Sequence, residues 1–84
     1  MYNMELKDTI EMMNSSDYKE RFKAEYYQVV IRLNKLFTVL SKYYAGTLEF
    51  QPSTPIDVLK AQYSIMDAYL KILELRAVSE HIEL

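Results

Sequence analysis

The sequence predicts an all-α fold: a short N-terminal helix followed by a long antiparallel helical hairpin, assembled into an oligomer. Three observations carry this. The stretch from Tyr18 to Tyr44 contains neither Gly nor Pro. Apolar residues repeat there at alternating four- and three-residue steps, and the same rhythm recurs after residue 55. Between the two lies a short segment holding Gly46, Pro52 and Pro55, residues that stop and restart helices.

The 84 residues suffice for one domain, 1–84. Its first element spans residues 1–14, where Met4, Leu6, Ile10 and Met13 suggest a short amphipathic helix that covers one end of the hairpin. Asn14-Ser15-Ser16-Asp17 then stops one helix and starts the next, with Ser16 or Asp17 as the N-cap. The first long helix covers 17–45 and closes at Gly46. Its seam reads Tyr26, Val30, Leu33, Phe37, Leu40, Tyr44, widened by Phe22 and Leu36. The second long helix covers 55–80, with Thr54 as cap, Pro55 in the first turn and Asp57 reaching back. Its seam reads Leu59, Tyr63, Met66, Leu70, Leu73, Ala77, so the two faces match in an antiparallel pair.

A further apolar stripe remains on the second helix. At 100° per residue Val58, Ile65 and Ile72 align beside Tyr69 and Arg76, away from the seam, and Ala61, Ala68 and Leu75 extend it. A hairpin cannot bury both stripes, so the chain is expected to self-associate.

Composition excludes several chemistries. With no Cys, one His and one Gly, the chain lacks thiolate sites, His-based zinc sites, a Ser-His-Asp triad and a phosphate loop. The expectation is a protein that is no enzyme and carries no metal or cofactor. Carboxylate pairs such as Asp67 with Glu74 read as surface ion-pair partners, and His81 as part of a solvated tail. No apolar run of membrane-spanning length and no signal peptide is present, so a cytoplasmic protein is expected.

Charge is segregated along the chain: −3 over residues 1–17, +4 over 18–45 and −3 over 46–84. The basic middle either binds an anion or simply attracts the acidic ends on folding. Gln28, Arg32, Lys35 and Lys42 share one strip, which is either an anion contact or a solvated face. Tyr18, at a helix start, offers a stacking plate beside free backbone N–H groups, a combination suited to a nucleotide. The alternative for Tyr18 is a staple onto Phe22. Tyr26 and Tyr63 belong to the core by periodicity, whereas Tyr27 lies off the seam.

The runs Tyr18-Lys19-Glu20-Arg21-Phe22-Lys23-Ala24-Glu25-Tyr26, Lys42-Tyr43-Tyr44-Ala45-Gly46-Thr47-Leu48-Glu49-Phe50 and Tyr69-Leu70-Lys71-Ile72-Leu73-Glu74-Leu75-Arg76-Ala77 resemble small helical-hairpin proteins of phages and prophages of Firmicutes. That group is similar to the hairpin domain shared by phage anti-CBASS and anti-Thoeris sponge proteins. The resemblance covers roughly residues 17–84. It implies an anti-defence sponge in the bacterial host cytoplasm that sequesters a cyclic nucleotide immune signal without cleaving it. Cyclic di- and trinucleotides and cyclic ADP-ribose isomers are the implied ligands, and a hexamer with pockets between protomers is the implied assembly.

Residue by residue, Tyr18-Lys19 resembles the aromatic-basic pair that opens the long helix in the anti-CBASS branch, where the Tyr stacks on a base. Lys35 is the nearest match to a phosphate-binding Lys later on that helix, at a spacing about half a turn longer. Arg76-Ala77 resembles the Arg-Ala pair that lines inter-protomer pockets, and Arg32 joins the set by position. The stretch before residue 17 does not resemble the N-terminal β-region of the anti-Thoeris branch. Two rival readings stand beside the sponge. One is a helical protein-interaction adaptor or phage accessory protein with no nucleotide ligand. The other is a binder of single-stranded nucleic acid, against which the acidic ends argue.

Overall fold

The computed structural model describes residues 4–84. These residues form a 3-10 turn, Leu6–Thr9, that runs into one α-helical turn, α1 (Ile10–Met13), then α2 (Tyr18–Ala45) and α3 (Ile56–Ser79). The side chains that meet across the hairpin run in opposite order on the two long helices. Arg76 lies over Phe22, Glu74 accepts from Tyr26, Tyr63 meets Phe37 and Lys60 meets Tyr44. The pair is therefore antiparallel.

Local chemistry sets the helix ends. Asp17 is the cap of α2, its Oδ1 accepting from the Lys19 backbone N–H at 3.0 Å. The same helix closes at Gly46, whose φ of 76° is left-handed. The Thr47 N–H then returns to the Lys42 carbonyl at 2.9 Å, and that of Gly46 to Tyr43 at 3.1 Å, a Schellman closure. Before α3, Pro55 is extended (ψ 143°) and acts as the N-cap residue, outside the helix rather than in its first turn. Thr54 provides no capping hydrogen bond; the Pro55 carbonyl instead accepts from Val58 and Leu59.

The end of α3 corrects the reading of His81 as tail. Ile82 N–H donates to the Ala77 carbonyl at 2.9 Å and His81 N–H to that of Val78 at 3.3 Å. This is the same closure as at Gly46, with His81 holding the left-handed position at φ 57°. It folds Ile82 back into the core, where it is buried together with Ala77.

Both seams meet as expected near the open end of the hairpin, which we term the foot. Tyr26, Val30 and Leu33 are buried against Leu70, Leu73 and Ala77. Tyr27 joins them from off the seam, its ring edge-on to Tyr26 at 5.4 Å. Toward the connecting loop the seam opens. Phe37 and Tyr44 are 55% and 61% exposed despite their seam positions, while Leu40 between them is buried.

The N-terminal segment differs most from expectation; residues 1–3 of it lie outside the described residues. It is not one amphipathic helix, and its buried residue is Thr9, whereas Ile10 and Met13 are exposed. Thr9 Oγ1 accepts from Gln28 Nε2 at 2.9 Å and donates to the Leu6 carbonyl. Neither the 3-10 turn nor α1 contacts α3. The segment lies along the outer face of α2, where Ala24 and Ile31 are buried, rather than across an end of the hairpin.

Candidate functional site

The foot brings the start of α2 against the end of α3, and with them Tyr18 and Arg76. The Arg76 guanidinium carbon stands 4.8 Å from the centroid of the Phe22 ring, a cation–π contact over a buried floor. Arg76 Nε donates to Glu80 Oε2 at 3.1 Å. Tyr18 is half exposed beside them. Its phenol is raised above its ordinary pKa, first by partial loss of solvent and then by the hydrogen bond and charge of Glu80, with Arg76 opposing and Asp17 adding. At neutral pH the ring is an uncharged plate, the state needed for stacking on a base. The Lys19 N–H behind Tyr18 is taken by Asp17, so the free donors expected at this helix start are partly used.

The other two cations lie elsewhere. Arg32 and Lys35, both exposed, line a groove of about 380 Å³ with Leu6, Leu36, Val39 and Gln62. Seventeen residues separate Tyr18 from Lys35 on one helix, about 25 Å along its axis. One protomer therefore presents two partial sites: Tyr18 with Arg76 at the foot, and Arg32 with Lys35 midway along α2. Lys19 is exposed beside the first.

Ion pairing within the chain is local. Among the described residues the pairs are Lys7–Glu5, Lys23–Glu20, Lys71–Asp67 and Arg76–Glu80, all within four residues of sequence. None joins the basic middle to the acidic ends. Of the α2 cations, Lys19, Arg32, Lys35 and Lys42 are exposed and take no part in these pairs, whereas Lys23 is paired and Arg21 donates to the Ser15 carbonyl at 2.7 Å. The Asp67–Lys71 pair, at 3.4 Å, is the surface partnership expected from spacing. Glu74 accepts from the Tyr26 hydroxyl at 3.1 Å.

Sequence reasoning missed Glu80 and Phe22 as parts of the foot. Glu80 has an i,i+4 relation to Arg76 that could have flagged it; Phe22 is expected in the seam or as a staple for Tyr18, and its ring instead also carries Arg76. The leftover stripe of α3 is present as expected: Val58, Ile65 and Ile72 are more than half exposed. Because the N-terminal segment docks on α2, nothing among the described residues covers that stripe. Among the described residues no helix is long and apolar enough to cross a membrane.

Residues 16–79 match the family model described as Sequestin. No curated protein and no solved structure matches the chain.

Proposed function

The chain belongs to the Sequestin family of phage sponge-type anti-defence proteins, and from that premise we propose that it captures a cyclic nucleotide immune signal and holds it intact. The ligand is a cyclic di- or trinucleotide or a cyclic ADP-ribose isomer. The observation that carries this reading is the meeting of Tyr18 and Arg76 at the foot, a stacking plate beside a cation on an aromatic floor. Tyr18 stacks on a base, Arg76 and Lys35 neutralise phosphates, and Lys19 and Arg32 add positive charge at the rim.

The two partial sites combine between protomers. Burying Val58, Ile65 and Ile72 against a neighbouring copy yields a homo-oligomer, a hexamer in this reading, in which the foot of one chain meets Arg32 and Lys35 of another. The mechanism is sequestration in the host cytoplasm. It needs no general acid, no metal and no cofactor, and it excludes polymeric nucleic acid as the partner.

A thermal-shift screen against the three ligand classes, followed by calorimetry and recovery of the ligand, tests this. The melting temperature rises with one class, and the recovered ligand has unchanged mass. Tyr18→Ala and Arg76→Ala each weaken binding by about 1–3 kcal/mol, roughly 5- to 150-fold. Unchanged affinity in both variants, with the oligomer intact, overturns the site. The exposed α3 stripe also favours a second reading, a helical adaptor whose partner covers that stripe. A monomer or dimer without response to any nucleotide selects it.

A further inference from the structure

The loop end of the hairpin holds a feature that the foot does not account for. Toward the loop, α2 and α3 flank an open groove of about 380 Å³ lined by Phe37, Leu40, Ser41, Tyr44, Lys60 and Tyr63. That volume lies toward the small end of the ~300–1,000 Å³ typical of small-molecule pockets. Tyr44 lies 26 residues along α2 from Tyr18, about 39 Å, so this groove and the foot are separate places.

Its walls are chemically selective. The Phe37 and Tyr63 rings stand 5.9 Å apart at 39°, tilted rather than stacked, and Phe37 is more than half exposed. Tyr44 forms the third aromatic wall, with Lys60 Nζ 5.6 Å from its ring centroid. Lys60 has no ion pair among the described residues. The Ser41 hydroxyl is a further donor on the rim. An aliphatic occupant would use the rings and leave the ammonium idle, and a simple anion would use the ammonium and leave the rings wet. A flat heteroaromatic ring with an anionic substituent uses both.

We propose that the loop-end groove is a second binding site, for a planar aromatic anion of mononucleotide size, with its ring lying against the aromatic wall of Phe37, Tyr44 and Tyr63 and Lys60 holding the anionic group. The site is complete within one protomer, and it does not depend on the reading of the foot.

The test is amide NMR of the full chain titrated with adenosine 5′-monophosphate and, separately, with adenosine. The expected result is a saturable shift of residues around Phe37, Ser41, Lys60 and Tyr63 that is stronger for the monophosphate. Lys60→Ala weakens the monophosphate about tenfold, as loss of one charge-assisted contact implies, and leaves adenosine unaffected. Lys60 is exposed, so this variant keeps the fold. Arg76→Ala, which disables the foot, leaves the loop-end shifts in place, so failure of one site is distinguishable from failure of the other. Absence of saturable shifts at these residues overturns the proposal. So does equal binding of both probes with no effect of Lys60→Ala. Shifts at Phe37, Ser41 and Tyr63 on raising the protein concentration, accompanied by loss of the probe's own shifts, also overturn it, because another copy of the chain then fills the groove.

Discussion

Replacing Glu80 by Gln perturbs the foot in a direction that a general loss of folding cannot imitate. Glu80 holds Arg76 at 3.1 Å in a pair whose side chains are 48% and 28% exposed, so an incoming phosphate competes with a carboxylate already in place. Breaking an exposed i,i+4 pair costs about 0.3–0.5 kcal/mol. A phosphate seated on Arg76 then lies about 5 Å from the carboxylate, a repulsion of about 0.8 kcal/mol in water-like dielectric. Glu80→Gln removes both terms while keeping an acceptor for Tyr18. Binding of the cyclic nucleotide should tighten about five- to tenfold at low ionic strength, with the gain shrinking as salt screens it. Stability should fall slightly, by about 0.5 kcal/mol or 2–4 °C in melting temperature.

Calorimetry on the two proteins reads the affinity, and ring-carbon NMR assigned to Tyr18, one of eight tyrosines, reads its titration. In wild type the Tyr18 phenol is raised in the folded state, so the stability linked to it is present below the usual phenol value and is lost as pH rises through the higher folded value. In Glu80→Gln that raised titration should move back toward the ordinary phenol range. Tighter binding in a slightly less stable protein supports the foot as a phosphate site. Weaker or unchanged binding by Glu80→Gln refutes the reasoning, because Glu80 would then not be competing for Arg76.

Other substitutions test the frame around the site. His81→Gly removes a side chain from a left-handed position, and thermal denaturation should show a gain of about 0.5–1 kcal/mol. Leu73→Ala empties the most deeply buried leucine, 1% exposed, and chemical denaturation should register a loss of about 2–5 kcal/mol. Ile65→Asp places a charge on the bare α3 stripe; analytical ultracentrifugation should find the proposed oligomer dissociated, with helix content by circular dichroism unchanged. An unaltered oligomer would place the interface elsewhere.

The long helices were legible because their signals are local. Two 4-3 seams, an Asp cap and a Gly stop act within a few residues of where they stand, and α2 and α3 begin and end within one residue of the expected bounds. The N-terminal segment was misread for the opposite reason. Over eleven residues the apolar spacing of Met4, Leu6, Ile10 and Met13 suggests a buried face. The docking that occurs is instead organised by Thr9 and Gln28, nineteen residues apart. No periodicity reports a hydrogen bond of that reach.

The candidate site divides in the same way. Tyr18 could be named from its place at a helix start, Arg32 and Lys35 from a shared basic strip, and the unpaired α3 stripe from counting faces, whereas Arg76 entered through the family resemblance alone. That Tyr18 shares its place with Arg76, Glu80 and the Phe22 ring depends on the hairpin bringing residue 18 to residue 76. Likewise the exposure of Phe37 and Tyr44 at seam positions depends on how the two long helices meet. Helix boundaries, faces and charge order are properties of neighbours along the chain, so the sequence by itself determined them. Which surfaces meet is decided by shape and contact between segments far apart in sequence, and only the folded chain brings those together.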